Sequence, residues 1–64
     1  MLVNGKPYEG KTPISVTNLL KNLGYNEGFV AVEINLKICK KANYCNTFLN
    51  DDDNVEIVKL VQGG

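Results

Sequence analysis

The residues best suited to chemistry are the two glycines that end the sequence, Gly63 and Gly64. Glycine has no side chain, so its backbone can adopt most conformations and can approach another molecule closely. A glycyl carboxylate on such a tail can therefore enter the narrow active site of a second protein. We expect a single domain over residues 1–60 and a flexible diglycine tail over residues 61–64. The alternative interpretation is a frayed end without function.

The composition excludes several classes of protein. Sixty-four residues suffice for one small domain, and seven basic and seven acidic side chains give zero net charge. This balance argues against a nucleic-acid-binding protein, which normally carries a basic excess. No apolar run approaches the roughly 20 residues of a membrane span. The N-terminus lacks the regions of a signal peptide. We therefore expect a cytoplasmic protein that binds neither membranes nor nucleic acid.

The sequence lacks the histidine-based catalytic sets, and we expect the chain not to be an enzyme. It contains no histidine, so neither a Ser-His-Asp nor a Cys-His set can be assembled. Cys39 and Cys45 fall short of a four-ligand zinc site and should be reduced in the cytosol. The acidic run 51–53 lacks the spacing of a calcium-binding loop and predicts a solvated turn. We expect no bound metal or cofactor. The roles of the two thiols are left open.

The first half of the chain predicts a hairpin and a helix. Asn4-Gly5 is the dipeptide most typical of a two-residue hairpin turn, and Pro7 places the second arm at a sheet edge. Ser15 to Leu23 predicts the main helix, with Ser15 as its N-cap and Gly24 just past its end. Its apolar residues recur at helical spacing and share one face: Val16, Leu19, Leu20 and Leu23.

The second half predicts several short strands around ambiguous connections. The predicted strands are 29–34, 37–39, 47–49 and 55–61, with a turn at 50–54. Segment 40–46 is compatible with either a helical turn or an irregular loop. This order predicts an α+β fold of the β-grasp, or ubiquitin-like, type. In that fold a mixed sheet of four to five strands packs on one main helix, with the first and last strands central and parallel.

The last predicted strand is apolar on both faces. Val55 and Ile57 would face the helix, whereas Glu56, Val58 and Leu60 would point to the opposite side. Exposed apolar patches often mark partner surfaces. The alternative is packing beneath segment 40–46. We favour exposure for Val58 and leave both possibilities open for Leu60.

Taken together, four segments resemble the ThiS family, the sulfur carriers of thiamine-thiazole biosynthesis. These segments are 2–5, 15–20, 30–35 and 51–64, and the last, ending in Gly63-Gly64, is the most specific. Two departures from the usual pattern occur. Cys39-Lys40-Lys41 stands where a Val-Pro-Arg-like run is common, and Asp52 replaces the glycine of the acidic turn.

The resemblance implies a carrier protein that is a co-substrate of other enzymes. A ThiF-like adenylyltransferase would use MgATP to convert the Gly64 carboxylate to an acyl-adenylate. Sulfur from a cysteine desulfurase would then give a thiocarboxylate for a ThiG-like thiazole synthase. Gly63 would let the tail thread into the enzyme, and Val58, Leu60 and Val61 would dock the partner.

Other functions share the fold or the tail chemistry. A MoaD-like carrier for molybdopterin is an alternative, although such chains are generally longer. Carriers for tRNA thiolation or cysteine synthesis, a protein-modifying tag and a β-grasp interaction module are further alternatives.

Overall fold

Seven short strands and one α-helix are found in the computed structural model, which describes residues 1–60. In chain order the elements are β1 (Leu2–Val3), β2 (Lys6–Pro7), β3 (Ile14–Ser15), α1 (Val16–Leu23), β4 (Val30–Ile34), β5 (Lys37–Cys39), β6 (Phe48–Leu49) and β7 (Asn54–Lys59). Single 3-10 turns at Glu27–Phe29 and Lys41–Asn43 connect some of them.

Five of the strands form one mixed sheet in the order β2-β1-β7-β4-β5. The first and last strands, β1 and β7, are adjacent, parallel and inside the sheet, and the other pairs are antiparallel. This confirms the predicted α+β fold, and β2 with its proline lies at an edge. A separate ladder of β3 and β6 pairs Ile14 with Leu49 and was not predicted.

The predicted Asn4-Gly5 hairpin turn is confirmed, and Asn4 has a second role. Both residues have positive φ, 51° and 82°, as a type I′ turn requires. The Asn4 backbone N–H donates to the Val55 carbonyl at 2.8 Å. Its side chain then binds both main-chain groups of Ile57, donating to the carbonyl at 3.2 Å and accepting from the N–H at 2.7 Å. The side-chain amide therefore extends the pairing of β1 with β7 by one peptide-like unit.

We expect Asn4→Ala to lower the free energy of unfolding by about 2 kcal/mol, because the partly buried main-chain groups of Ile57 lose both partners. Alanine is also less tolerant than asparagine of the positive φ. Urea denaturation measures the change. Asn4→Gly is the matched control, because it keeps the backbone conformation and removes only the amide. A glycine variant as stable as the wild type would show that the two hydrogen bonds contribute nothing.

The helix has the predicted caps and most of the predicted core contacts. Ser15 Oγ accepts a hydrogen bond from the Asn18 N–H at 3.1 Å, and Gly24 ends the helix at φ 82°. Leu23 departs from the expected core face: it is 41% exposed and lines a surface groove with Tyr8 and Tyr25. The buried core consists of Val16, Leu19, Leu20, Val30, Val32, Tyr44, Leu49, Val55 and Ile57.

Segment 40–46, ambiguous in sequence, forms a 3-10 turn followed by a buried tyrosine. Tyr44 is 1% exposed, and its hydroxyl lies 3.5 Å from the Val30 carbonyl. Its own carbonyl accepts a hydrogen bond from the Thr17 N–H at 3.2 Å, at the start of α1. Burial raises the pKa of Tyr44 above its ordinary value, because the apolar surroundings disfavour the phenolate. The segment therefore closes one side of the core.

Three predicted strand boundaries were wrong. Phe29 lies in a 3-10 turn rather than in β4, because Asn26 caps that turn: its Oδ1 accepts from the Gly28 N–H at 2.9 Å. Thr47 precedes β6, since its Oγ1 donates to the Asn43 carbonyl at 2.8 Å. The last strand runs from Asn54 to Lys59 instead of from 55 to 61. Position 61 lies outside the described residues.

The predicted turn between β4 and β5 contains a leucine in a backbone conformation that is unfavourable for it. Asn35 and Leu36 have φ values of 52° and 71°, a conformation that suits glycine better than leucine. Leu36 is 84% exposed, so little buried apolar area depends on it.

We therefore expect Leu36→Gly to raise the free energy of unfolding by about 0.5–1 kcal/mol through relief of the left-handed backbone. Chemical denaturation of the variant measures the effect. Leu36→Ala serves as the control, because it removes the exposed side chain but retains the Cβ that causes the strain. An equal gain from alanine would contradict the explanation.

Candidate functional site

Strand β7 leads directly toward the diglycine tail and alternates between buried and exposed residues. Val55 and Ile57 are 0% and 6% exposed, whereas Val58 is 53% and Leu60 56% exposed. The expected exposure of Val58 is confirmed, and the question left open for Leu60 is resolved in the same way. The alternative, in which both side chains pack beneath segment 40–46, is wrong.

The strand register shows which residues accompany Val58. Ala31 lies directly opposite Val58, and Glu33 lies opposite Glu56 on one side and Ile38 on the other. Directly opposed residues share a face of the sheet. At the end of this ladder the Leu60 N–H donates to the Phe29 carbonyl at 2.9 Å. We call this surface the outer face; it comprises Leu2, Phe29, Ala31, Glu33, Ile38, Asn54, Glu56, Val58 and Leu60.

The outer face is apolar over much of its area, and no element within residues 1–60 covers it. Its large apolar side chains are 42% to 75% exposed: Leu2, Phe29, Ile38, Val58 and Leu60. Contiguous exposed apolar surface of this kind is typical of protein-binding sites. Sequence reasoning found Val58 and Leu60 but missed Phe29 and Ile38. Ile38 is the middle residue of the three-residue strand β5, between Lys37 and Cys39, and a strand of that length is too short for alternation to assign a face.

The remaining predicted site residues lie in the tail. Val61, Gly63 and Gly64 are outside the described residues, so their assigned roles stay predictions. The two cysteines are free thiols. Cys39 lies opposite Val32 on the core side of the sheet, with its Sγ 3.8 Å from Thr47 Oγ1, and Cys45 is exposed. Cys39 and the outer face are therefore on opposite sides of the sheet.

The acidic turn before β7 has a structural role. Asp53 accepts hydrogen bonds from the Asn50 N–H at 2.8 Å and from Asn35 Nδ2 at 3.0 Å, and Thr12 Oγ1 donates to Asp51. Within residues 1–60, no group of three or more His, Cys, Asp or Glu side chains is placed to hold a metal ion. In the same range no helix is long and apolar enough to cross a membrane. The carboxylates of Asp51 and Asp53 therefore connect this turn to the loops that contain Thr12 and Asn35.

Comparison with known proteins places this chain in a family. The model of the ThiS family matches residues 1–64, which include the diglycine end. The chain belongs to the ThiS family. The sequence similarity identified from the four segments is thus confirmed over the whole chain.

Curated relatives of this ThiS-family chain fall into two groups. The protein named "Uncharacterized protein ycf40" in Porphyra purpurea is 37% identical over 62 residues, covering 97% of this chain and 87% of the relative. A thiazole synthase of Paramagnetospirillum magneticum is 38% identical over 64 residues. That alignment covers all of this chain but only 20% of the synthase. The synthase therefore contains a region similar to this chain within a much longer protein.

Solved structures show the same fold. The crystal structure of the thiamine biosynthesis protein (ThiS) from Geobacter metallireducens matches with a TM-score of 0.81 and 33% identity. The match covers 98% of this chain and 96% of that protein. A solution structure of a thiamine biosynthesis protein from the same organism gives a TM-score of 0.80. The mixed sheet on one helix is therefore the architecture of ThiS proteins.

Proposed function

We propose that this chain is a sulfur carrier whose Gly64 carboxylate is adenylated and converted to a thiocarboxylate for thiazole formation in thiamine biosynthesis. The observation that carries the proposal is membership of the ThiS family over residues 1–64, with Gly63-Gly64 inside the matched range. The lack of histidine supports a carrier over a catalyst, because neither a Ser-His-Asp nor a Cys-His set can be assembled.

The proposed chemistry resides in one carboxyl group. A carboxylate oxygen is a poor leaving group, so a ThiF-like adenylyltransferase first transfers AMP from MgATP to Gly64 and releases pyrophosphate. The terminal sulfur of a desulfurase persulfide then attacks the acyl carbon and displaces AMP, giving an acyl disulfide. A thiol that cleaves this S–S bond releases the thiocarboxylate. MgATP belongs to the partner enzyme, and the carrier itself holds no cofactor.

The exposure of residues near the end of β7 supports the docking part of the proposal. Val58 is exposed on β7, and the exposed Leu60 follows the end of that strand, four positions before Gly64 in the sequence, which supports docking of a partner close to the tail. We assign docking to Val58, Leu60 and Val61, and threading to Gly63. The thiazole synthases that contain a similar region support a ThiG-like enzyme as the sulfur acceptor. We place the carrier in the cytoplasm.

High-resolution mass spectrometry of the C-terminal peptide tests the proposal. The chain is incubated with the adenylyltransferase and cysteine desulfurase of its own organism, MgATP and cysteine. We expect one oxygen of Gly64 to be replaced by sulfur, and no replacement when MgATP is omitted. The shift must map to the tail, because oxidation of Met1 changes the mass by nearly the same amount. An unmodified Gly64 with both enzymes active would refute the proposal.

A further inference from the structure

The outer face carries charge of only one sign among residues 1–60. Its two charged side chains are Glu33 and Glu56, which lie directly opposite each other on β4 and β7. The lysines of the five-stranded sheet have the other orientation: Lys6, Lys37 and Lys59 lie opposite Val3, Ile34 and Val30, on the core side of the ladder. The chain as a whole has zero net charge, but this face carries two carboxylates and none of the three lysines of the sheet.

This arrangement is unfavourable in the free protein. Side chains directly opposite on antiparallel strands have Cβ atoms about 4.5–5.5 Å apart, and like charges at such positions repel. The adjacent positions on these strands hold Ala31, Val58 and Ile38, which offer no cation, and the nearest lysine on this side, Lys40, follows the end of β5 two positions beyond Ile38. A purely apolar partner would worsen the repulsion, because it would exclude the water that screens the two carboxylates. A cation from the partner would offset this repulsion and so favour the complex.

We propose that Glu33 and Glu56 together bind one arginine or lysine side chain of the adenylyltransferase that activates Gly64. Arginine suits the site best, because its planar guanidinium can donate to two carboxylates at once. Apolar partner residues would cover Val58 and Ile38 around this cation. The identity of the partner rests on the function proposed above, whereas the favoured chemistry, apolar with a central cation, follows from the outer face alone.

The chain length gives this contact a geometric limit. Gly64 lies eight positions after Glu56 in the sequence. A fully extended chain spans at most about 3.6 Å per residue, so the Cα atoms of Glu56 and Gly64 can be at most about 29 Å apart when the tail reaches the active site of the enzyme. The carboxylate pair would thereby fix the carrier on the enzyme at a distance that the tail can reach. Glu33 and Glu56 are positioning residues for the adenylation step.

Binding of the adenylyltransferase of the same organism to the wild type, Glu33→Gln and Glu56→Gln tests the inference. Dissociation constants are measured at about 50 and about 300 mM NaCl, where screening differs strongly. We expect each variant to bind about tenfold more weakly at the lower salt concentration and to lose most of the salt dependence of the wild type. The melting temperature of each free variant should equal or exceed that of the wild type, because the repulsion is relieved. A glutamate that only stabilised the fold would not combine weaker and less salt-dependent binding with an unchanged or higher melting temperature.

Glu9→Gln is the matched control, because Glu9 is an exposed carboxylate outside the five-stranded sheet and its loss changes the net charge equally. We expect its binding to match that of the wild type. If the wild type binds and is adenylated but Glu33→Gln and Glu56→Gln bind as tightly, the inference is wrong and the proposed function stands. An equal loss of affinity with Glu9→Gln would also overturn it, by indicating a general charge effect. Failure of the wild type to bind an active enzyme would overturn both.

Discussion

Deletion of Gly64, or replacement of Gly63 by valine, is expected to abolish adenylation and leave the free energy of unfolding unchanged. The deletion withdraws the carboxylate by one residue, about 3.5 Å in an extended tail. Because misplacement of a reacting group by about 1 Å can cost about 100-fold in rate, we expect at least that loss. Valine at position 63 adds a branched side chain where close approach to the enzyme is needed. Pyrophosphate release in the presence of the adenylyltransferase and MgATP measures the rate.

Gln62→Ala is the control for this pair of variants, since it alters the tail but keeps both glycines and the final carboxylate. We expect it to retain most of the wild-type rate. The buried core lies before position 58, so thermal unfolding should be the same for all four proteins. Pyrophosphate release at the wild-type rate by the Gly64 deletion would refute the assignment of the reacting group. A fall in melting temperature with either glycine variant would instead show that the tail supports the fold.

Local signals in the sequence predicted the parts of the fold that local energetics decide. Asn4-Gly5 predicts a type I′ turn because both residues tolerate positive φ, and the structure has 51° and 82° there. The Ser15 cap and the Gly24 terminus satisfy main-chain groups within one or two turns of the helix. Features of this kind need no knowledge of distant contacts.

Features that depend on contacts between distant residues could not be read from the pattern. Tyr44 belongs to the core because its segment packs against the start of α1, and no periodicity around it reveals this burial. The β3–β6 ladder joins Ile14 to Leu49 with two residues per strand, which is too short for an alternating pattern. Phe29 was misplaced because the Asn26 cap prevails over its strand propensity.

At the outer face, too, the local pattern predicted some features, whereas others depend on contacts between strands. Alternation along β7 placed Val58 and Leu60 on the face opposite the core, and their exposure agrees. The opposition of Glu33 and Glu56 depends on the register between β4 and β7, which a single strand does not encode. Knowledge of the register therefore changes the expected partner from an apolar surface to an apolar surface with a cation.

Replacement of Val58 by aspartate is expected to weaken binding of the adenylyltransferase by about tenfold to 100-fold. An interface that covers position 58 would bury the new carboxylate among the apolar partner residues expected around Val58, and burial of a charge in apolar surroundings is costly. Val58 is 53% exposed in the free protein, so we expect a loss of stability of at most about 1 kcal/mol. Titration calorimetry measures the affinity, and thermal unfolding verifies the fold. Unfolding of the variant would show that Val58 supports the core instead of a partner.

Two further variants identify the cause of a weakened complex. Phe48→Asp introduces the same charge at an apolar residue that is 59% exposed but lies in the β3–β6 ladder, so its affinity should match the wild type. Equal losses from both aspartates would contradict docking at the outer face. Val58→Lys removes the same apolar contact as Val58→Asp but introduces a positive instead of a negative charge. Desolvation alone predicts similar losses for lysine and aspartate, whereas a partner cation at Glu33 and Glu56 repels the lysine. A larger loss with lysine would therefore link the apolar contact and the carboxylate pair to one binding surface.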